Sequence, residues 1–104
     1  MNQQQALSAL SAMANATRLE IVRLLVPMGS DGMAAGEIAK GIGISASALS
    51  FHLSTLEQAG LLTSKRCSRQ VFYRADHARL GGVIGYLLND CCGAHPEVCS
   101  CTAG

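Results

Sequence analysis

Ala35-Gly36-Glu37-Ile38-Ala39-Lys40-Gly41-Ile42-Gly43-Ile44-Ser45-Ala46-Ser47-Ala48-Leu49-Ser50-Phe51-His52-Leu53-Ser54-Thr55-Leu56-Glu57-Gln58-Ala59-Gly60 decides the fold of this chain. Two short amphipathic stretches flank a tight turn. In the first, about residues 35–41, Ile38 and Ile42 recur at helical spacing and face inward, and Gly43 breaks the helix. Ser45 is a good N-cap for the second, residues 46–59, because its hydroxyl can accept a free backbone N–H of the first turn. Leu49, Leu53 and Leu56 make that helix's apolar stripe, and Gly60 stands where a left-handed C-terminal cap is expected. Helix, Gly41-Ile42-Gly43-Ile44 and helix form a helix-turn-helix pattern. The outward face of the second helix carries Ser47, Ser50, His52 and Ser54, with Ala46 at its start. Short polar side chains let a helix sit deep in a DNA major groove, where hydroxyls reach phosphates or base edges. Many helical pairs share this geometry, so the pattern alone is a weak signal.

The next segment strengthens the signal. Residues 61–74 read as a β-hairpin with Val71 and Tyr73 on one face, Phe72 on the other and a glycine-free tip near Cys67-Ser68-Arg69. Net charge is only +1. Yet Lys65, Arg66, Arg69, Arg74 and Arg79 are five of the eight Lys and Arg, and only Asp76 opposes them locally. A local basic stripe contacts phosphates even on a nearly neutral chain; a solvated hairpin accounts for the charges as readily. Lys65, Arg66 and Arg69 would lie along the DNA backbone as a wing.

Upstream, Leu7, Leu10 and Met13 mark a helix over residues 4–14. Asn15 can cap a second, in which Leu19, Val22 and Leu25 line one face. Pro27 and Gly29-Ser30-Asp31-Gly32 end it in a loop. Downstream, a last helix begins near Asp76 or His77, and Leu80, Val83, Ile84, Leu87 and Leu88 fit the helical repeat. Gly81, Gly82 and Gly85 weaken that helix, so close packing should compensate, either between two copies of the chain or within one. The expected fold is mostly α with a β-hairpin wing: a winged helix-turn-helix of about five helices. Residues 1–92 form the DNA-binding and dimerisation domain and residues 93–104 a cysteine-containing tail. At 104 residues the core is modest, and dimerisation would help it. No apolar run is long enough to span a membrane and the N-terminus lacks signal-peptide features, so the expected compartment is the cytoplasm.

Five segments carry a family resemblance. Ala14-Asn15-Ala16-Thr17-Arg18-Leu19-Glu20-Ile21-Val22-Arg23-Leu24-Leu25 resembles the opening motif of ArsR/SmtB-family repressors. Gly36-Glu37-Ile38-Ala39 with Ile44-Ser45-Ala46-Ser47-Ala48-Leu49-Ser50-Phe51-His52-Leu53-Ser54-Thr55-Leu56 resembles that family's recognition region. Ala59-Gly60-Leu61-Leu62 and Gln70-Val71-Phe72-Tyr73-Arg74 resemble its turn and wing. The match covers about residues 6–90. It implies a homodimer, joined through first and last helices, that represses an operon by binding double-stranded operator DNA until a metal or metalloid ion binds. Ser45, Ala46, Ser47, Ser50, His52, Ser54, Lys65, Arg66 and Arg69 are the candidate DNA contacts. His52 reads as a DNA contact or a partly buried hydrogen-bonding residue before it reads as a ligand.

Four of the five cysteines, Cys91, Cys92, Cys99 and Cys101, cluster in the last fourteen residues, with Cys91 and Cys92 at the fraying end of the last helix. An odd cysteine count and an adjacent pair argue against a disulfide framework, and cytosolic thiols stay reduced. The region before Ile38, where arsenic-sensing relatives carry cysteines, has none. Asp76-His77 lacks the Asp-x-His and His-x-x-Glu spacing of the zinc sensors. The tail resembles arsenic-responsive members with thiolates at the end of the last helix. Soft thiolates select soft ions, and As(III) or Sb(III) takes three sulfurs. Cys91, Cys92 and Cys99 are the expected triad, with Cys101 a substitute or fourth ligand. A cadmium- or lead-responsive site, a thiol-redox sensor, tetrahedral zinc and an idle tail are the alternatives. His95 and Glu97 read as exposed tail residues before outer-shell groups, and Cys67 as a solvent-facing residue. An enzyme is not expected: there is no phosphate-cradling loop and no Cys-x-x-Cys. No organic cofactor is implied. A metallochaperone would not need the polar helix face or the basic wing.

Overall fold

A computed structural model describes residues 1–88. Five α-helices and a three-stranded antiparallel sheet run in the order α1 (Gln3–Met13), α2 (Ala16–Leu25), β1 (Met33–Ala34), α3 (Ala35–Ile42), α4 (Ala46–Gln58), β2 (Leu62–Cys67), β3 (Gln70–Ala75) and α5 (His77–Leu87). An irregular 3₁₀ segment, Val26–Asp31, joins α2 to β1. The core is built by Ile21, Val22 and Leu25 of α2, Ile38 of α3, Leu49, Leu53 and Leu56 of α4, Leu61, Leu62, and Val83 of α5. Burying each large aliphatic side chain stabilises the fold by roughly 1.5–3 kcal/mol.

Local chemistry sets the helix ends. Asn2 and Gln5 form a reciprocal capping box on α1. Asn15 caps α2 by accepting from Arg18 N–H at 3.1 Å, and Asp76 caps α5 by accepting from Arg79 N–H at 2.9 Å. α3 ends on Gly43 at φ 82°, the left-handed conformation that turns the chain toward α4. α4 ends in a Schellman arrangement: Gly60, at φ 79°, donates to Glu57 O at 3.0 Å and Leu61 to Leu56 O at 3.0 Å. Buried Leu61 then accepts from Asp76 N–H at 2.8 Å, which anchors the start of α5 to the same turn.

The structure revises the sequence reading in four places. The wing is not a free hairpin: β1 pairs with β3 (Met33↔Tyr73, Ala34↔Phe72), so the order is β1-β3-β2. A strand of two residues has no periodicity to read. Leu19 is exposed and Ile21 takes its place in the α2 stripe. On α1 the residues turned inward are Ala6, Ala9 and Ala12, whereas Leu7 and Leu10 face out. Arg79 is not part of the wing charge; its guanidinium lies against the Gly60 turn, where a Cβ would come within 2.9 Å of its Nε.

The hairpin itself has a two-residue turn, with Cys67 paired to Gln70. Ser68 carries the positive φ (60°). With Arg69 at negative φ this is the type II′ pattern, occupied here without glycine.

Candidate nucleic-acid interface

α4 presents the face expected of a recognition helix. Its buried stripe of Leu49, Leu53 and Leu56 fixes its rotation, which leaves Ala46, Ser47, Ser50 and Ser54 exposed on the other side. Ser45 serves first as the N-cap: its Oγ accepts from Ala48 N–H at 3.2 Å and lies 3.4 Å from Ser47 Oγ. Ser54 Oγ accepts from Gln58 Nε2 at 3.5 Å. N–H groups at the start of α4 that have no partner among the described residues add donors suited to a phosphate.

His52 points elsewhere. It is half-buried, and its Nδ1 lies 3.1 Å from Arg18 Nη1. A guanidinium can only donate, so Nδ1 accepts and the ring proton sits on Nε2. Arg18 Nε also donates to Ala12 O at 2.6 Å. One guanidinium therefore ties the last turn of α1 and the middle of α4 to α2. Of the two roles expected for His52, the structure displays the hydrogen-bonding one.

The basic residues of the wing separate by strand alternation. Lys65 pairs with Phe72, and Arg66 with Val71, so the two cations face opposite sides of the sheet. Arg66 shares its face with Ser64, whose Oγ donates to Glu57 Oε2 of α4 at 2.7 Å; this is the side of the recognition helix. Lys65 shares its face with Cys67 and Arg74 and borders an open hollow of about 630 Å³ that Ser30 and Asp31 also line. Arg74 Nε donates to Thr63 Oγ1 at 3.0 Å. Arg69 stands at the exposed tip. Tyr73, partly buried beside Glu57, has its phenol pushed above the ordinary value of 10.0, first by desolvation and then by the carboxylate's charge.

Two residues near this surface escaped the sequence reading. Phe51 is 66 % exposed on the outward side of α4. A lone aromatic between Ser50 and His52 carried no periodic signal. Arg18 lies in a stretch noted for its apolar spacing, and nothing local indicates that its partner is 34 residues away.

Asp76 and His77 are both engaged structurally. Asp76 caps α5, and His77 Nε2 donates to Val26 O at 2.9 Å. Among the described residues no group of three or more His, Cys, Asp or Glu is placed to hold a metal ion. Cys67 is exposed there as a free thiol. Cys91, Cys92, Cys99 and Cys101, and with them the whole 93–104 tail, lie outside the described residues. No helix among the described residues is long and apolar enough to cross a membrane.

Known proteins share this arrangement. A helix-turn-helix domain family matches residues 13–65. The HTH-type transcriptional regulator YgaV of Escherichia coli is 36% identical over 86% of this chain and 88% of its own length. An ArsR-like transcriptional regulator from Rhodococcus superimposes with a TM-score of 0.70 at 29% identity, covering 84% of this chain and 78% of the other. A winged helix-turn-helix DNA-binding domain of Mycobacterium bovis, described as homodimeric, does so with a TM-score of 0.66 at 28% identity over 89% and 86% of the two chains.

Proposed function

The chain belongs to the ArsR/SmtB family of winged helix-turn-helix transcriptional regulators, and from that membership we propose that it is a dimeric repressor released from its operator by As(III) or Sb(III). The observation that carries the DNA half of the reading is the exposed hydroxyl-bearing face of α4, flanked by Arg66 and Arg69 of the wing. Two such heads in a dimer would meet a pseudo-palindromic operator one helical turn apart. Occupied, the operator is closed to transcription.

Dimerisation is supported by apolar surface on two neighbouring helices. Leu7 and Leu10 of α1 and Ile84 and Leu87 of α5 are exposed, Leu87 at 62 %, and α1 packs against α5. Gly81 and Gly85 of α5 have no neighbour among the described residues within 4 Å of an added Cβ. The close approach these glycines permit thus has no user there, which favours a second copy as the user.

The inducer half rests on the donor set. Cys91, Cys92 and Cys99 supply three thiolates, with Cys101 as substitute or fourth ligand, and thiolates prefer soft, thiophilic ions over hard ones. Capture of the ion after α5 would disturb the dimer contact that spaces the two heads. Ion and DNA then oppose each other by one shared coupling free energy, each 1.4 kcal/mol of which is about tenfold in affinity.

The test is an anisotropy titration of operator-bound full-length protein, run in parallel with As(III), Sb(III), Cd(II), Zn(II) and an oxidant. As(III) and Sb(III) should release the DNA, and serine at Cys91, Cys92 or Cys99 should weaken release without altering operator affinity in the absence of ion. Release by cadmium alone, or by oxidant alone and reversed by thiol, would replace this inducer with the heavier metal or with redox control. Unchanged release in all three serine variants would remove the cysteine site.

A further inference from the structure

Phe51 takes no part in the hydrophobic core. It is 66 % exposed, more than the exposed Leu7, Ile84 and Leu87, and at about 100° per residue it lies roughly opposite the Leu49–Leu53–Leu56 stripe. Its neighbours on the outward side, Ser47 one turn before and Ser54 one turn after, are exposed as well. It is also distant in sequence from the apolar surfaces of α1 and α5, which a second copy would cover. The pattern is a bare aromatic plate at the outer pole of the recognition helix, framed by hydroxyls. One side of the plate is braced: the ring meets His52 edge-on, with centroids 5.7 Å apart and planes at 73°, and His52 is itself held by Arg18 at 3.1 Å.

The structure assigns Phe51 as a specificity-determining residue that reads the C5-methyl of thymine in the major groove. This rests on the proposed DNA-binding role and names what that surface selects. Among the base-pair edges of the major groove the thymine methyl is the one apolar group of substantial size; beside it stand donors, acceptors and the small C5–H of cytosine. Phe51 can form no hydrogen bond through its side chain. Set against a purine N7 or a cytosine amino group, it would strip water from a polar edge and return nothing. Set against a thymine methyl, it buries apolar surface on both partners. Discrimination thus has an attractive and a penalising component. The serines on either side are short enough to let the ring reach the groove floor and polar enough to engage the flanking edges or phosphates.

The experiment begins with full-length protein and random-sequence duplex DNA, from which the bound sequence is selected. Each thymine of that sequence is then replaced singly by deoxyuridine, which removes the methyl and keeps every donor and acceptor. Wild-type protein should lose about fourfold in affinity at one thymine per half-site, the worth of one buried methyl-sized group. Phe51→Ala should bind more weakly and be indifferent to uracil at that position, while Phe51→Leu should retain part of the effect. Phe51 is exposed, so circular dichroism of both variants should match wild type. An operator that is selected but insensitive to uracil everywhere, or a Phe51→Ala variant with the same uracil sensitivity as wild type, overturns the assignment alone. Enrichment of no sequence overturns the DNA-binding reading, and the assignment falls with it.

Discussion

Replacing Arg18 should cost more than any other single charged residue of this domain. Its guanidinium makes two bonds in different directions, Nε to Ala12 O at 2.6 Å and Nη1 to His52 Nδ1 at 3.1 Å. Hydrogen bonds from a charged donor contribute about 1.5–3 kcal/mol each. Arg18 is half-buried, so the lower end applies and the pair is worth about 3 kcal/mol. A chain of 104 residues has a total stability of roughly 5–15 kcal/mol. Arg18→Ala therefore removes between a fifth and more than half of it, a fall in Tm of roughly 12–24 °C. Arg18→Lys should lose about half as much. An ammonium's donors radiate from one atom, whereas Nε and Nη1 are separate atoms of a rigid plane. The assay is urea or thermal unfolding of the full chain at one fixed protein concentration, because the proposed dimerisation would make the midpoint concentration-dependent. A double-mutant cycle with His52→Ala should return a coupling of about 1–1.5 kcal/mol. A coupling below about 0.3 kcal/mol, or Arg18→Lys as stable as wild type, would refute the bridge.

Gly32→Ala should destabilise by about 3 kcal/mol or more: Gly32 sits at φ 64° and ψ −158°, and an added Cβ would overlap the Tyr73 carbonyl oxygen. Gly29→Ala shares the φ of 64° but meets nothing within 4 Å, so it should cost about 1–2 kcal/mol less; equal denaturation midpoints for the two would argue against the clash. The raised Tyr73 phenol stabilises the folded state fully below the unfolded value of 10.0 and loses that contribution as pH rises through the higher folded value. Wild type should therefore lose stability above pH 10.0 more steeply than Tyr73→Phe, and parallel pH profiles would contradict this. For operator binding, Arg66→Ala and Arg69→Ala should each flatten the salt dependence by about two units of log–log slope per dimer, one phosphate contact per subunit. Lys65→Ala, on the hollow face of the sheet, should flatten it less; an equal effect would show that the wing approaches DNA by its other face.

The helix-turn-helix was legible because each of its parts has a local cause. Ser45 caps, Gly43 and Gly60 adopt the left-handed turns, and Leu49, Leu53 and Leu56 can face only one way. The start of α5 was legible for the same reason, through Asp76. Where two apolar faces compete, periodicity gives a helix without its rotation. On α1 the sequence shows Leu7 and Leu10, yet the alanines turn inward, because a helix that approaches closely needs small side chains at the contact. On α2 Leu19 yields to Ile21 for lack of any local signal to choose between them. The separation of Lys65 from Arg66 is a consequence of strand alternation and could have been read. The membership of β1 in the sheet, the retreat of Arg79 to Gly60 and the Arg18–His52 bond could not. Each joins residues far apart in sequence, and none leaves a pattern in either partner.

These long-range contacts also bear on how an event after α5 would reach α4. α5 packs against α1, and α1 packs against both α2 and α4. The fully buried residues of α1 are Ala6, Ala9 and Ala12, beside a partly buried Met13, so much of the layer between α1 and its neighbours is methyl groups. Alanine methyls have no rotamers to absorb a displacement, and close-packed interiors transmit strain. Arg18 then bonds the carbonyl of Ala12, in the same layer, to His52 in the reading helix. A shift of α1 therefore strains the 2.6 Å bond to Ala12 and, through the same guanidinium, the 3.1 Å bond to His52 of α4. The magnitudes match: a charged hydrogen bond is worth about 1.5–3 kcal/mol, and coupling between two binding sites typically amounts to about 1–3 kcal/mol. If the protein is the ion-released repressor proposed here, one residue already present in the fold is thus of the right magnitude to link the dimer contact to the DNA-reading head, and the ring of Phe51, resting on His52, is the last member of that link.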